Sequence, residues 1–224
     1  MRRNNLDGQA IGRKGAETLK RLMSAAEEML DTTPLRDLRT SDMARRAGIS
    51  AATFYLYFEN VESVVLALAD SLIEPAGELI ALAETPWPPG DDTAILAFVR
   101  AYFDFWDEHR SVLRMRNLAA EEGDARFAAS RLTISIPLHQ AIAAKIAAAR
   151  AEGPSPSIPE DIHDLTLAAT ILAAMERNAS GYRMFPSRFG VSRQRLIAAT
   201  VFMIKSVLSA GRPARKDRRA KKPQ

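Results

Sequence analysis

The chain has no cysteine, which removes a disulfide framework, a thiolate nucleophile and any Cys-based metal site from consideration. Histidine is nearly as scarce. His109, His139 and His163 are too scattered for a short metal-binding pattern, and none accompanies a serine nucleophile motif. No segment alternates apolar and polar residues as a half-buried strand would. No apolar run is expected to reach the length of a membrane span, and the N-terminus lacks a signal-peptide hydrophobic region. The expected location is therefore the cytoplasm, with no membrane partner. No catalytic residue, metal or cofactor is expected.

Aromatic residues make up only 7% of the 224 residues, while hydrophobic residues overall reach 47%. Much of that apolar content is alanine, which suits closely packed helices and supports a real core. The length allows one large or two small domains. Charge is unevenly spread. Residues 1–60 carry a slight positive excess, 61–210 a negative one, and 211–224 hold seven Lys/Arg against one Asp. The net charge of +4 is thus made by the last fourteen residues and argues nothing about the N-terminal region.

The most informative stretch is TSDMARRAGISAATFYLYFENVE, residues 40–62. Thr40 or Ser41 can cap a short helix running through Ala47, with Asp42 in its first turn and Met43, Ala44 and Ala47 at helical spacing. Gly48 stands where a helix must end in a left-handed residue, and Ile49 follows as the apolar plug of the turn. Ser50 caps a second short helix, Ala51 to Tyr57, and Asn60 caps a third. Phe54 and Phe58 share one face and are expected to be core. Cap, glycine turn, cap, hydroxyl run and cap together predict a helix-turn-helix whose middle helix reads DNA.

These residues resemble a known signature. Gly48-Ile49-Ser50, Thr53-Phe54-Tyr55 and Tyr57-Phe58, followed by Asn60 and Glu62, look like the helix-turn-helix of the tetracycline-repressor (TetR) family. The motif resemblance runs from about Arg13 to Leu68. It implies an all-helical homodimer, usually a transcriptional repressor released from operator DNA by a small molecule. It also implies DNA-contact roles for Thr53, Tyr55 and Tyr57. One position departs from the pattern: a lysine commonly follows the final Phe by three residues and meets phosphate, and here that residue is Val61.

From the residues themselves, Arg13 and Lys14 are placed to meet phosphate, and Thr40 and Ser41 offer a helix N-terminus to it. Ser50 and Asn60 complete the expected contact set at their cap positions. Ala51 and Ala52 are small enough to touch a thymine methyl. Arg45 and Arg46 read equally as solvated surface or as phosphate clamps. The middle helix has no Arg, Asn or Gln, so direct base readout is thin, and shape and water share in specificity.

The expected fold is all-α, with about nine helices in an N-terminal three-helix head and a larger body. Residues 1–12 read as a mobile arm, 13–59 as the head, 60–210 as the ligand-binding and dimerisation body, and 211–224 as a disordered basic tail. A first helix runs from Arg13 to Leu30. The helix begun at Asn60 continues past Leu72, with Pro75 and Gly77 kinking it rather than ending it. Further helices are expected at Thr93–Glu108, Ser111–Glu122, Ala125–Glu152, Glu160–Tyr182 and Ser192–Ala210.

Within the body, Phe98, Tyr102, Phe103 and Trp106 cluster at helical offsets, and Met115, Phe127, Met175 and Tyr182 add to them from later helices. Such residues ordinarily fill core. Clustered among so much alanine, they are also candidates to line a cavity for a small lipophilic effector, with Asn178 orienting it. The last two helices offer apolar faces, Leu165, Ala168, Ala169, Leu172 and Ala173 on one, and Leu196, Ala199, Thr200, Met203, Val207 and Leu208 on the other. They form the candidate homodimer surface, since two heads are needed to read a palindrome. The functional expectation is a sequence-specific regulator, most often a repressor. The alternatives are a weakly specific DNA-coating protein and, behind it, a helical enzyme. The segment Arg212 to Lys222 reads either as added electrostatic affinity for DNA or as a solubilising end.

Overall fold

The computed structural model describes residues 6, 8, 10–88, 90–151, 158–159, 161–185 and 187–209. Ten α-helices occur among them, and no strand. They are α1 (Arg13–Leu30), α2 (Thr40–Arg46), α3 (Ala51–Tyr55), α4 (Val61–Ser71), α5 (Ile73–Glu84), α6 (Thr93–Glu108), α7 (Arg110–Glu121), α8 (Ala125–Ala151), α9 (Asp164–Gly181) and α10 (Arg193–Ser209). The all-α expectation holds. The tenth helix arises because the fourth expected helix is interrupted at Leu72. Pro75 causes it, having no N–H for the Ser71 carbonyl and a ring that crowds it. The chain therefore opens one turn earlier, and Pro75 falls in the first turn of α5, where it is tolerated.

Two compact units make up the chain: residues 1–79 with 104–136, and residues 80–103 with 137–224. The first holds the helix-turn-helix but takes in more chain than residues 13–59, because α4 and α7 both pack on α1 and α4 packs on α7. Leu19, Leu22 and Ala26 of α1, Met43 of α2, Phe54, Phe58, Val64, Val65 and Leu68 are buried there, as are Val112 and Leu113 of α7. In the second unit the core comes from Ile95, Phe98 and Val99 of α6, Leu138, Ile142 and Ile146 of α8, Ile171 and Met175 of α9, and Ile197 and Ile204 of α10.

Local chemistry sets the boundaries. Gly48 has φ +66°, the left-handed turn that ends α2. Gly48→Ala is expected to lower stability by about 1–2 kcal/mol through backbone strain. The added Cβ would meet only the Arg21 guanidinium, at 3.6 Å, so no clash contributes. An unchanged urea midpoint would refute the strain. Asp124 accepts the Arg126 amide at 2.9 Å at the start of α8, and the Arg126 guanidinium bonded to it holds its pKa down to about 2.

Three expectations are corrected. The helix expected from Glu160 begins at Asp164, with His163 Nδ1 accepting the Leu165 amide. Arg150 engages the carbonyls of Ile162 and Ile158 ahead of the helix while donating to Asp164 at 2.6 Å. Contrary to expectation, α8 is long and apolar enough by composition to cross a membrane. Its hydropathy comes from alanine, it carries Arg131 and Lys145, and it buries Phe127, Ile134, Leu138, Ile142 and Ile146 inside the two units, as a core helix does. Finally, Ala168, Leu172 and Thr200 of the expected dimer faces are buried within the subunit. The outward face of α10 keeps Ala199 of the expected set and adds Ala198 and Phe202.

The expected arm at 1–12 is described only in part. The Leu6 amide donates to the Leu56 carbonyl at 2.9 Å, which ties that point of it to the end of α3. The basic tail at 211–224 lies outside the described residues.

Candidate nucleic-acid interface

The five-residue α3 cannot persist alone, so its position depends on what holds it. Phe54 is fully buried and packs edge-on to Tyr55 at 5.4 Å and against Phe58 at 6.2 Å. Ser50 caps it as expected: its Oγ accepts the Thr53 amide at 3.0 Å, while the Ser50 and Thr53 hydroxyls meet at 2.9 Å. Asn60 and Ser63 form a reciprocal capping box at the start of α4, so the Asn60 carboxamide oxygen is committed to the Ser63 amide at 2.8 Å.

Thr40 behaves differently from expectation. It is the first residue of α2, and Arg39 occupies the cap position with no side-chain cap bond. The Thr40 hydroxyl instead meets the Tyr55 hydroxyl at 3.3 Å, joining the start of α2 to the end of α3. Tyr55 is otherwise exposed, as are Ser41, Ser50, Ala51 and Ala52, and Arg13 and Lys14 at the start of α1. Thr53 and Tyr57 are half-buried. A Cβ placed on Gly15 would come within 3.1 Å of the Tyr57 hydroxyl, so that hydroxyl lies against the first turn of α1 and braces it. Arg45 pairs with Asp42 at 2.7 Å and Arg46 with Glu28, which resolves their ambiguity toward surface ion pairs in this state.

The nine residues expected around a ligand fall into two groups. Trp106, Met115 and Phe127 belong to the first unit, and Phe98, Tyr102, Phe103, Met175, Asn178 and Tyr182 to the second. Phe98 packs on Tyr102 with ring centroids 6.3 Å apart, and Phe103 on Tyr182 at 6.4 Å. Met175 is fully buried, and Asn178 is half-buried. The structure adds residues that the sequence reading passed over. Trp87 lies 5.6 Å from Phe98, and its Nε1–H is buried without a hydrogen-bond acceptor. Lys145 Nζ stands 5.7 Å from the Trp87 ring and donates to the Glu84 carbonyl at 2.9 Å. Burial lowers its pKa, against the opposing charge of Glu84. Arg193 lies over Phe103 at 5.9 Å. Trp87 sits in the proline-rich PWPPG segment, residues 86–90. A cleft of about 310 Å³ beside it, walled by Leu82, Pro86, Pro88 and Ala97, includes none of the nine.

A short capped helix set beyond a glycine turn, braced by two buried phenylalanines and presenting hydroxyls and alanines outward, defines a helix-turn-helix DNA-binding module. Residues 22–68 match the model of bacterial regulatory proteins of the tetR family, and residues 84–215 match the tetracyclin repressor-like C-terminal domain. The chain belongs to the TetR family of transcriptional regulators. Among curated relatives, the HTH-type transcriptional regulator EthR of Mycobacterium tuberculosis is 34% identical over 94 residues, which cover 42% of this chain and 44% of EthR. YdgC of Bacillus subtilis is 27% identical over 46% of this chain and 54% of that protein. The chain therefore spans about half the length of the curated relatives it matches. Its fold is similar to the fatty acid degradation regulator FadR of Bacillus halodurans, with a TM-score of 0.61 at 15% identity over 88% of this chain and 95% of that one. Bacillus subtilis FadR in complex with stearoyl-CoA gives 0.61 at 13% identity over 85% and 98%, and a SmeT–triclosan complex 0.58 at 15% over 83% and 90%.

Proposed function

We propose that the protein is a sequence-specific dimeric repressor that binds a palindromic operator through α3 and leaves it when a small lipophilic ligand enters the body. The observation that carries the DNA reading is the Ser50-capped α3, held from below by Phe54 and Phe58 and tied at one end by the Thr40–Tyr55 hydroxyl contact. Arg13, Lys14, Ser41, Ala51, Ala52 and Tyr55 form its exposed contact set. The ligand reading is supported by the tilted ring cluster Trp87–Phe98–Tyr102, and by the Trp87 donor that a ligand acceptor would satisfy. FadR and SmeT, whose fold this chain shares, were solved with an acyl-CoA and with triclosan. Dimerisation through α9 and α10 is supported by exposed Leu165 and by Phe202, which is 73% exposed.

The test is a genome-wide binding footprint with and without body-directed ligands, followed by titration of the recovered site. Tyr55→Ala and Thr53→Ala are each expected to weaken operator binding by about 1–3 kcal/mol at fixed salt while the fold persists. Unchanged affinity in both would move the recognition surface away from α3. A footprint without sequence preference would favour the DNA-coating alternative.

A further inference from the structure

The first unit contains a cleft of about 280 Å³ that shares only Met115 with the nine residues expected around the body ligand and none with the operator surface. One wall is Leu30–Pro34, the end of α1 and the turn leading to α2. The other is α7, through Arg110, Ser111, Arg114 and Met115. Its volume lies just below the range of drug-sized pockets, about 300–1,000 Å³, so the occupant is small.

Charge defines that occupant. Arg110 is already engaged by Asp107 at 2.9 Å, with both side chains largely covered. That leaves one exposed cation on the α7 wall, Arg114, and one exposed anion on the α1 wall, Asp31. Neither side chain forms a hydrogen bond or an ion pair with a described residue, and the two do not pair with each other across the cleft. Half-buried Met115 and the edge of the largely buried Leu30 add apolar lining to the cleft. A lone anion would meet Asp31 as well as Arg114, and a lone cation the reverse. A molecule carrying both charges, with an apolar side group, satisfies both walls at once.

We infer that the cleft between the end of α1 and α7 binds a small zwitterion, an α-amino acid with an apolar side chain. Its carboxylate meets Arg114, its ammonium meets Asp31, and its side chain lies on Leu30 and Met115. This site is separate from the proposed effector site of the body, and its occupancy is read without DNA.

The experiment uses the full chain with 13C-labelled methionine methyls and L-leucine as the probe. L-leucinamide, which lacks the carboxylate, and N-acetyl-L-leucine, which lacks the ammonium, are the controls. Leucine is expected to shift the Met115 methyl saturably, and each control to bind about tenfold more weakly or worse. Arg114→Gln should erase the preference for leucine over leucinamide, and Asp31→Asn the preference over N-acetyl-leucine. Both side chains are exposed, and the remaining methionine methyls report whether each variant keeps its fold. A Met115 methyl that leucine does not move overturns the inference. So does equal binding of all three compounds, which would mark an apolar cleft without charge selection.

Discussion

Phe54→Ala is expected to remove about 3–5 kcal/mol of stability and to abolish operator binding. The ring is fully buried, and it belongs to a helix of five residues that has no stability of its own. Its loss leaves a cavity beneath α3 and takes away the contacts to Tyr55 and Phe58 that fix the helix on its unit. Against a total stability of roughly 5–15 kcal/mol for a typical domain, that is a large fraction. Urea unfolding monitored by circular dichroism measures it. Phe54→Leu, which keeps most of the volume, should recover much of the loss. A stability change below about 1 kcal/mol for the alanine variant would show that α3 is held by something other than this ring.

Phe202→Glu is expected to convert the proposed α9–α10 dimer to monomers and to weaken operator binding by about a hundredfold or more. Once the dimer is broken, each head binds alone and the effective concentration of its partner is lost. The side chain is 73% exposed on the outward face of α10, so the substitution should leave the stability of the subunit nearly unchanged. Buried in a twofold interface, the new carboxylates would instead lie unpaired in apolar surroundings. Sedimentation velocity decides the matter: a variant that remains dimeric at wild-type concentration places the interface elsewhere.

The sequence revealed what short-range chemistry controls. The caps at Ser50 and Asn60 follow from side chains acting three residues from their targets, and the left-handed turn at Gly48 from its lack of a Cβ. What it concealed depended on distant partners. Thr40 reads as a cap, yet its hydroxyl goes to Tyr55, fifteen residues on. Glu160 reads as a helix start, but the helix begins at Asp164, where Arg150 from the end of α8 bonds Asp164 and the Ile162 carbonyl. Tyr57 and Tyr55 were indistinguishable as hydroxyl donors on an aromatic run. Packing against Gly15 turns the first toward α1, whereas the second stays exposed. Phe202 was passed over because an apolar residue at helical spacing reads equally as core or as surface. Trp87, flanked by Pro86 and Pro88, carries no helical periodicity that would point to its contact with Phe98.

Residues 6–209 hold both tryptophans of the chain, and the boundary between the compact units separates them: Trp106 lies in the first and Trp87 in the second. Their surroundings differ as well. The Trp87 indole has an ammonium over its ring and an unbonded Nε1–H, while Trp106 is almost fully buried. Each unit thus contains its own intrinsic fluorophore. Replacing one tryptophan at a time with phenylalanine yields two single-emitter proteins whose spectra follow the two units independently. Melting, ligand arrival and operator engagement can then be timed against one another without attaching a dye.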